Sequence, residues 1–170
     1  MDFNMVHEFG WPAEKITAIL AAGEDLIPME DLPNVSQRKV IERRREGSKM
    51  YCKTEWCVHG QIPKIAQKIV RPETLTFQEL TIWDDDTTTF TTKIVPHFFK
   101  DKFICRTTSA WAANGADNCK RTFAGSLVIK FPLFGAILEK TIIDHLKKNN
   151  DENAVMVRAA LTKRFGPPSQ

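Results

Sequence analysis

Phe131-Pro132-Leu133-Phe134-Gly135-Ala136-Ile137-Leu138-Glu139-Lys140 is where the chain changes its hydrophobic period, and the reading of the fold turns on it. Before it, residues rich in Thr, Val, Ile and aromatics come in short runs divided by turn residues, as strands do. From Pro132 onward apolar residues recur every three or four positions, the spacing that keeps one face of a helix apolar. This pattern predicts a helix over about 132–165, stopped by Gly166-Pro167-Pro168. At 1.5 Å per residue it would be about 45–50 Å long. On a wheel, Phe134, Leu138, Ile142, Leu146, Met156 and Ala160 share one face, opposite Lys140, Asp144, Lys147, Asp151 and Arg158. One side is built to lie on a sheet. Asn149-Asn150-Asp151-Glu152-Asn153 is poor in helix propensity and is the place for a kink, but one helix is preferred to two.

Working back from this junction, strands are expected over 120–131, 103–113, 88–99 and 75–83. The breaks Asn114-Gly115-Ala116-Asp117-Asn118, Lys100-Asp101-Lys102 and Asp84-Asp85-Asp86 have turn chemistry, so successive strands form an antiparallel meander. Two further runs, 35–46 and 49–59, flank Gly47-Ser48 and read as a hairpin. Residues 62–70 can form one or two helical turns before Pro72. At the start, residues 3–9 read as a strand, followed by Pro12 and a short helix on which Ile16, Ile19 and Leu20 make the apolar stripe.

The order of strand, short helices, six strands and long terminal helix resembles the START-like superfamily, which includes START lipid-transfer domains, the birch-pollen-allergen fold and sterol-binding VASt domains. The sharpest likeness runs from Cys119-Lys120-Arg121-Thr122-Phe123 through Val128-Ile129-Lys130-Phe131 to Ile137-Leu138-Glu139-Lys140. It looks like the last strand entering a gripping helix with an Ile/Leu-Glu-Lys signature, as in VASt domains and some uncharacterised bacterial START-like proteins. The resemblance spans residues 1–170 and implies an α+β helix-grip fold in one domain: a curved antiparallel sheet wrapped around the C-terminal helix, with short helices between the first and second strands and a tail at 166–170. It also implies a cavity between sheet and helix, used in the family for sterols, phospholipids, polyketides or other hydrophobic molecules. No universal catalytic residue comes with it.

Composition narrows the function classes. A chain of 170 residues with 42% hydrophobic and 26% charged residues can bury one sizeable core. A net charge of +3 falls short of a nucleic-acid footprint. No stretch approaches the roughly 20 apolar residues that span a bilayer. Met1-Asp2-Phe3-Asn4 lacks the features of a secretory signal, so the expected compartment is the cytosol, with peripheral contact at membranes allowed. Cys52, Cys57, Cys105 and Cys119 are too irregularly spaced for a zinc ribbon, and neither metal nor cofactor is expected.

The ligand-binding residues follow from strand parity and the helix wheel. The more apolar register turns Cys52, Thr54 and Trp56 inward, with Phe90, Ile94 and Phe98, then Cys105, Thr107, Ser109 and Trp111, then Phe123, Leu127 and Ile129. The helix adds Leu138, Ile142 and Met156 and three polar candidates, His145, Asn149 and Asn153. The expected lining is therefore Trp56, Phe90, Ile94, Phe98, Thr107, Trp111, Phe123, Leu127, Leu138, Ile142, His145, Asn149, Asn153 and Met156. The competing reading of the aromatics is a filled core, and that of the amides is a helix overhanging into solvent. Arg38, Lys39, Arg43, Arg44, Arg45 and Lys49 cluster in one hairpin, either as a solvated edge or as an attraction to anionic lipid headgroups. His7, His59, His97, His145, Glu55 and Glu79 could do acid–base work, but no catalytic motif accompanies them. The expectation is a non-catalytic binder, or carrier between membranes, of a lipid or other hydrophobic small molecule. The alternatives are an interaction or chaperone-cofactor module and a START-like cyclase or hydrolase.

Overall fold

Short runs rich in β-branched and aromatic residues form the strands, most of which turn alternate residues inward. A computed structural model describes residues 1–32, 35–58 and 76–168. The strands are β1 (Asp2–Phe9), β2 (Val35–Glu46), β3 (Lys49–Val58), β4 (Thr76–Asp84), β5 (Thr89–Pro96), β6 (Phe103–Ala113) and β7 (Cys119–Ile129). They form one antiparallel sheet in the order β1-β7-β6-β5-β4-β3-β2. Helix α1 (Ala13–Ala21) and a single 3-10 turn at Met29–Asp31 lie between β1 and β2, and α2 (Gly135–Phe165) follows β7. This is the expected α+β helix-grip fold. The helical turns expected at 62–70 lie outside the described residues.

Two of the expected boundaries move. Pro96 ends β5, because it has no N–H to give the ladder, and the chain then turns at Phe99 (φ 59°). Phe98 therefore falls beyond the strand. The long helix starts at Gly135 rather than 132, since Leu133 (φ 71°) belongs to the preceding turn. It runs unbroken through 149–153, where the Asn150 amide donates back to the Leu146 carbonyl (3.3 Å).

The buried stripe of α2 is Gly135, Leu138, Ile143, Ala154, Val157 and Leu161. Beyond Leu138 it lies one residue along from the predicted Ile142, Met156 and Ala160, about 100° round the helix. The cause is long-range packing. The second half of α2 seats against β1 and α1, in a core shared by Phe9, Trp11, Ile16, Ile19, Leu20, Trp83 and Trp111. The first half covers a second cluster of Phe3, Cys105, Leu127 and Ile129.

At the junction, the Glu139 carboxylate accepts the Ile129 N–H at 2.8 Å, which holds that carboxyl below the usual range. Gly135 lies directly on the Ile129 carbonyl oxygen, leaving no room for a Cβ. This accounts physically for the Leu138-Glu139 signature: the leucine enters the core and the glutamate ties the helix to the last strand. Gly135→Ala is expected to lower stability by about 1–3 kcal/mol, the usual cost of overpacking, seen as a lower urea midpoint with an unchanged slope.

Candidate functional site

The concave face of the sheet, the α1–β2 connection and α2 line an open cleft of about 340 Å³. Its floor is a row of small polar side chains brought into register across three strands: Cys52 opposite Thr81, and Thr81 opposite Thr92. The Thr81 and Thr92 hydroxyls lie 3.4 Å apart. Met50, Trp56 and Phe90 supply apolar walls, Leu26, Ile27 and Leu32 come from the α1–β2 connection, and α2 contributes Asn153 and Val157. Bulk is absent where the row of threonines lies, and this is what leaves the space.

Charged groups stand in the wall of this chamber. Glu79 on β4 faces it beneath Arg38 and Trp56 of the β2–β3 hairpin. Burial pushes its carboxyl up, against the opposing pull of the Thr81 hydroxyl (3.3 Å), the Arg38 charge and the nearby Trp56 indole. Although close enough for that effect, the buried Trp56 Nε1–H makes no hydrogen bond of acceptable geometry. Arg38 gives both terminal nitrogens to Asp25 and stacks on the Trp56 ring at 5.1 Å.

Arg121, on β7, is 6% exposed. Its Nη1 donates to the Asn153 side-chain oxygen (2.8 Å) and its Nη2 to His7 Nδ1 (3.3 Å). His7 Nε2 in turn contacts the Asp151 carboxylate at 2.9 Å, an arrangement that places the neutral imidazole's proton on Nε2. Phe9 and Trp111 flank the guanidinium at 5.7 and 5.4 Å. Desolvation first, and then the neighbouring Arg158, lower it to about 10, so it stays charged at neutral pH.

Of the residues predicted to line the site, the structure brings Trp56, Phe90 and Asn153 to the cavity. Leu127, Leu138 and Trp111 are instead sealed in the cores, and Thr107 is buried. Ile94, Phe123 and Ile142 pack against the second cluster and Met156 against the first. Phe98 is 51% exposed, because β5 stops before it. His145 and Asn149 face outward, moved there by the rotated stripe of α2. Of the acid–base candidates only Glu79 lines the cavity among the described residues. His97 pairs with Glu55 (3.4 Å), and His59 lies outside the described residues. The residue that sequence reasoning missed is Arg121. Its odd number in β7 puts it on the same face as Phe123 and Leu127, and that parity was the available signal.

A concave antiparallel sheet gripping one long C-terminal helix is the START-like helix-grip fold. Solved structures carry the same fold over nearly the whole chain. A norcoclaurine synthase point mutant from Thalictrum flavum matches with a TM-score of 0.68 at 14% identity, covering 96% of this chain and 96% of that one. The Zhui aromatase/cyclase from Streptomyces sp. R1128 matches at 0.66 and 13% identity, covering 99% of each chain. A START superfamily protein from Mycobacterium smegmatis matches at 0.54 and 15% identity, covering 92% of this chain and 98% of that one. No family model matches the chain, and no curated protein sequence does.

Glu79 makes the cavity's polarity testable. Below the ordinary glutamate range, about pH 4.3, its proton is bound in both folded and unfolded chains and it contributes nothing to pH dependence. Above its raised folded value it is ionised in both, and the folded chain then bears a buried charge. Its contribution therefore turns against folding as pH rises through that window. Glu79→Gln is expected to melt at higher temperature than wild type at pH 7, with the two curves converging near pH 4.

Proposed function

We propose that the protein reversibly binds a hydrophobic or amphipathic small molecule in the cavity under α2. The observation that carries this reading is an open cleft of about 340 Å³ with aromatic and aliphatic walls and a few inward polar groups. That volume lies at the small end of the range of about 300–1,000 Å³ in which ligand sites fall. Trp56 and Phe90 would hold the apolar body of the ligand, and Asn153, Thr81, Thr92 and Glu79 would meet its polar atoms. An open cleft favours this over the chaperone-cofactor alternative, which needs no space beside the helix. A second reading rests on Glu79, since a carboxyl biased toward its protonated form in a cavity is suited to general-acid chemistry. Two proteins of the same fold are named as a cyclase and a synthase, which keeps that reading in play.

Collection of the ligand from a membrane surface is part of the proposal, although not by the hairpin first considered. Its arginines are largely spoken for: Arg38 by Asp25, Arg44 by Glu42 and Glu46, and Arg45 by Asp85. The better surface is the end of the sheet formed by the β5–β6 and β7–α2 turns. Phe98 and Phe99 are exposed there, Leu133 wholly so and Ile137 by half, with Phe99 and Phe131 in edge contact at 5.4 Å. Lys100, Lys102 and Lys130 are exposed on the same turns. Apolar tips ringed by lysines suit the boundary of an anionic bilayer. No described helix is long and apolar enough to cross one. The four free cysteines suit a reducing compartment such as the cytosol.

Native mass spectrometry with solvent extraction tests the binding. Wild type is expected to carry, or to take up from a lipid and sterol mixture, one hydrophobic molecule per chain, and Thr92→Trp, which fills the chamber, to carry none while keeping its circular dichroism spectrum. Uptake by the variant equal to wild type would remove the cavity from consideration. For the surface, Leu133→Ser is expected to weaken co-sedimentation with vesicles of phosphatidylcholine and 30% phosphatidylserine by about threefold or more, on the scale of about 1 kcal/mol for losing one apolar anchor, without changing the melting temperature.

A further inference from the structure

Arg121 is a cation that the fold buries without a counter-ion. Among the described residues no carboxylate forms an ion pair with it: its Nη1 rests on the Asn153 amide, its Nη2 on the His7 imidazole with longer contacts of 3.5 Å to the Asn150 backbone and side-chain oxygens, and its Nε–H is buried without any partner. Leaving a charge so placed is costly, and a fold normally supplies a carboxylate or shows the group to water. The carboxylates that line the cavity do not serve. Asp25 is engaged by Arg38 and Glu24 by Arg164 at 2.8 Å, while burial biases Glu79 toward its neutral form. Arg158 on α2 is a second cation, stacked on the Phe9 ring at 5.2 Å, while the Asp151 carboxylate reaches Arg121 only through the His7 ring. The cleft thus carries a cation at its β7–α2 wall, with the rings of Trp56 and Phe90 flanking the threonine row on β3–β5.

Building on the proposed ligand cavity, we infer that its ligand is an anionic amphiphile whose oxyanion, a carboxylate or a phosphate, pairs with Arg121 while its apolar body lies against Phe90 and Trp56. The geometry explains what a neutral ligand would not. A guanidinium can present Nε and one Nη as a fork to two oxygens of a single oxyanion. Arg121 has that Nε free, and a small swing toward the cavity would bring the fork to bear. Asn153, already bonded to Nη1 and itself in the cavity wall, is placed to donate its amide N–H to the same group. Arg121 is then a binding residue, and His7 a positioning residue that holds it through Nδ1, backed by Asp151.

The test uses two fluorescent probes with one aromatic frame, 8-anilinonaphthalene-1-sulfonate, an anion, and N-phenyl-1-naphthylamine, which is neutral. Wild type is expected to bind the anion about tenfold or more tightly than the neutral probe, the scale of one charge-assisted hydrogen-bonded pair. Arg121→Met should erase that preference and keep the neutral probe. Arg43→Gln, which removes the exposed cation at the cavity rim, should leave the preference intact. Displacement of the anionic probe by dodecanoate or by dodecyl phosphate then separates a carboxylic acid from a phosphate headgroup, and displacement by dodecanol equal to both would overturn the inference. So would equal wild-type affinity for the two probes, or a preference lost with Arg43 rather than Arg121, in which case Arg121 only ties strand to helix. If wild type binds neither probe, the cavity reading itself fails. Should Arg121→Met not fold, the wild-type preference and Arg43→Gln still decide.

Discussion

Everything inside the chamber depends on how closely α2 approaches the sheet, and that distance is set at Ile129. A glycine lets the helix backbone rest on the Ile129 carbonyl, and Glu139 takes up the N–H of the same residue. Both backbone polar groups of one strand-terminal residue thus meet the start of the helix. From so fixed a start the helix is a lever: its far end is held by packing of Val157 and Leu161 against α1, and by the Trp11 indole donating to the Gly166 carbonyl at 3.3 Å. Away from these anchors the strands β3 to β5 carry Cys52, Thr81 and Thr92 toward the cleft, and the space follows from their small side chains.

The fold was legible because local signals agreed with one another. Alternation gave the strands, turn residues gave the breaks, and the change of period at Pro132 gave the grip. Inward parity was also readable, since β6 and β7 do turn Cys105, Trp111, Leu127 and Ile129 inside. What escaped were consequences of contacts distant in sequence. The wheel placed Met156 rather than Val157 inward because it could not include α1 and β1, which draw the second half of the helix round. Phe98 was assigned to a strand that Pro96 had already ended. Arg121 was passed over because a charge in a strand is ordinarily at the surface, and only the tertiary structure closes Phe9 and Trp111 over it.

The two ends of the cavity show opposite solutions to placing charge in an apolar setting. At the β2–β3 hairpin the Arg38 cation is answered by Asp25, while burial biases the neighbouring Glu79 toward its neutral form. At β7 the guanidinium is supported by dipoles and rings alone. The same economy governs the outer hairpin, where ion pairs within β2 and onto the β4–β5 turn consume most of the positive charge. With two bulges along it, β2 is a charged and irregular edge, unsuited to pairing with a strand of another molecule.

The sheet's order also governs when it can form. β1 pairs along its full length with β7, from Asp2 opposite Ser126 to Phe9 opposite Cys119. During synthesis the first strand must therefore wait, its Phe3 and Phe9 uncovered, until nearly the whole meander has been made. Such long-range closure is slow compared with hairpin formation and leaves apolar surface open in the interval. The hairpins β2–β3, β4–β5 and β6–β7 can assemble as they emerge, but the sheet gains β1 and the cleft its α2 wall only at the end. Folding of this chain is in that sense a single late act of closure, and the binding site comes into being with it.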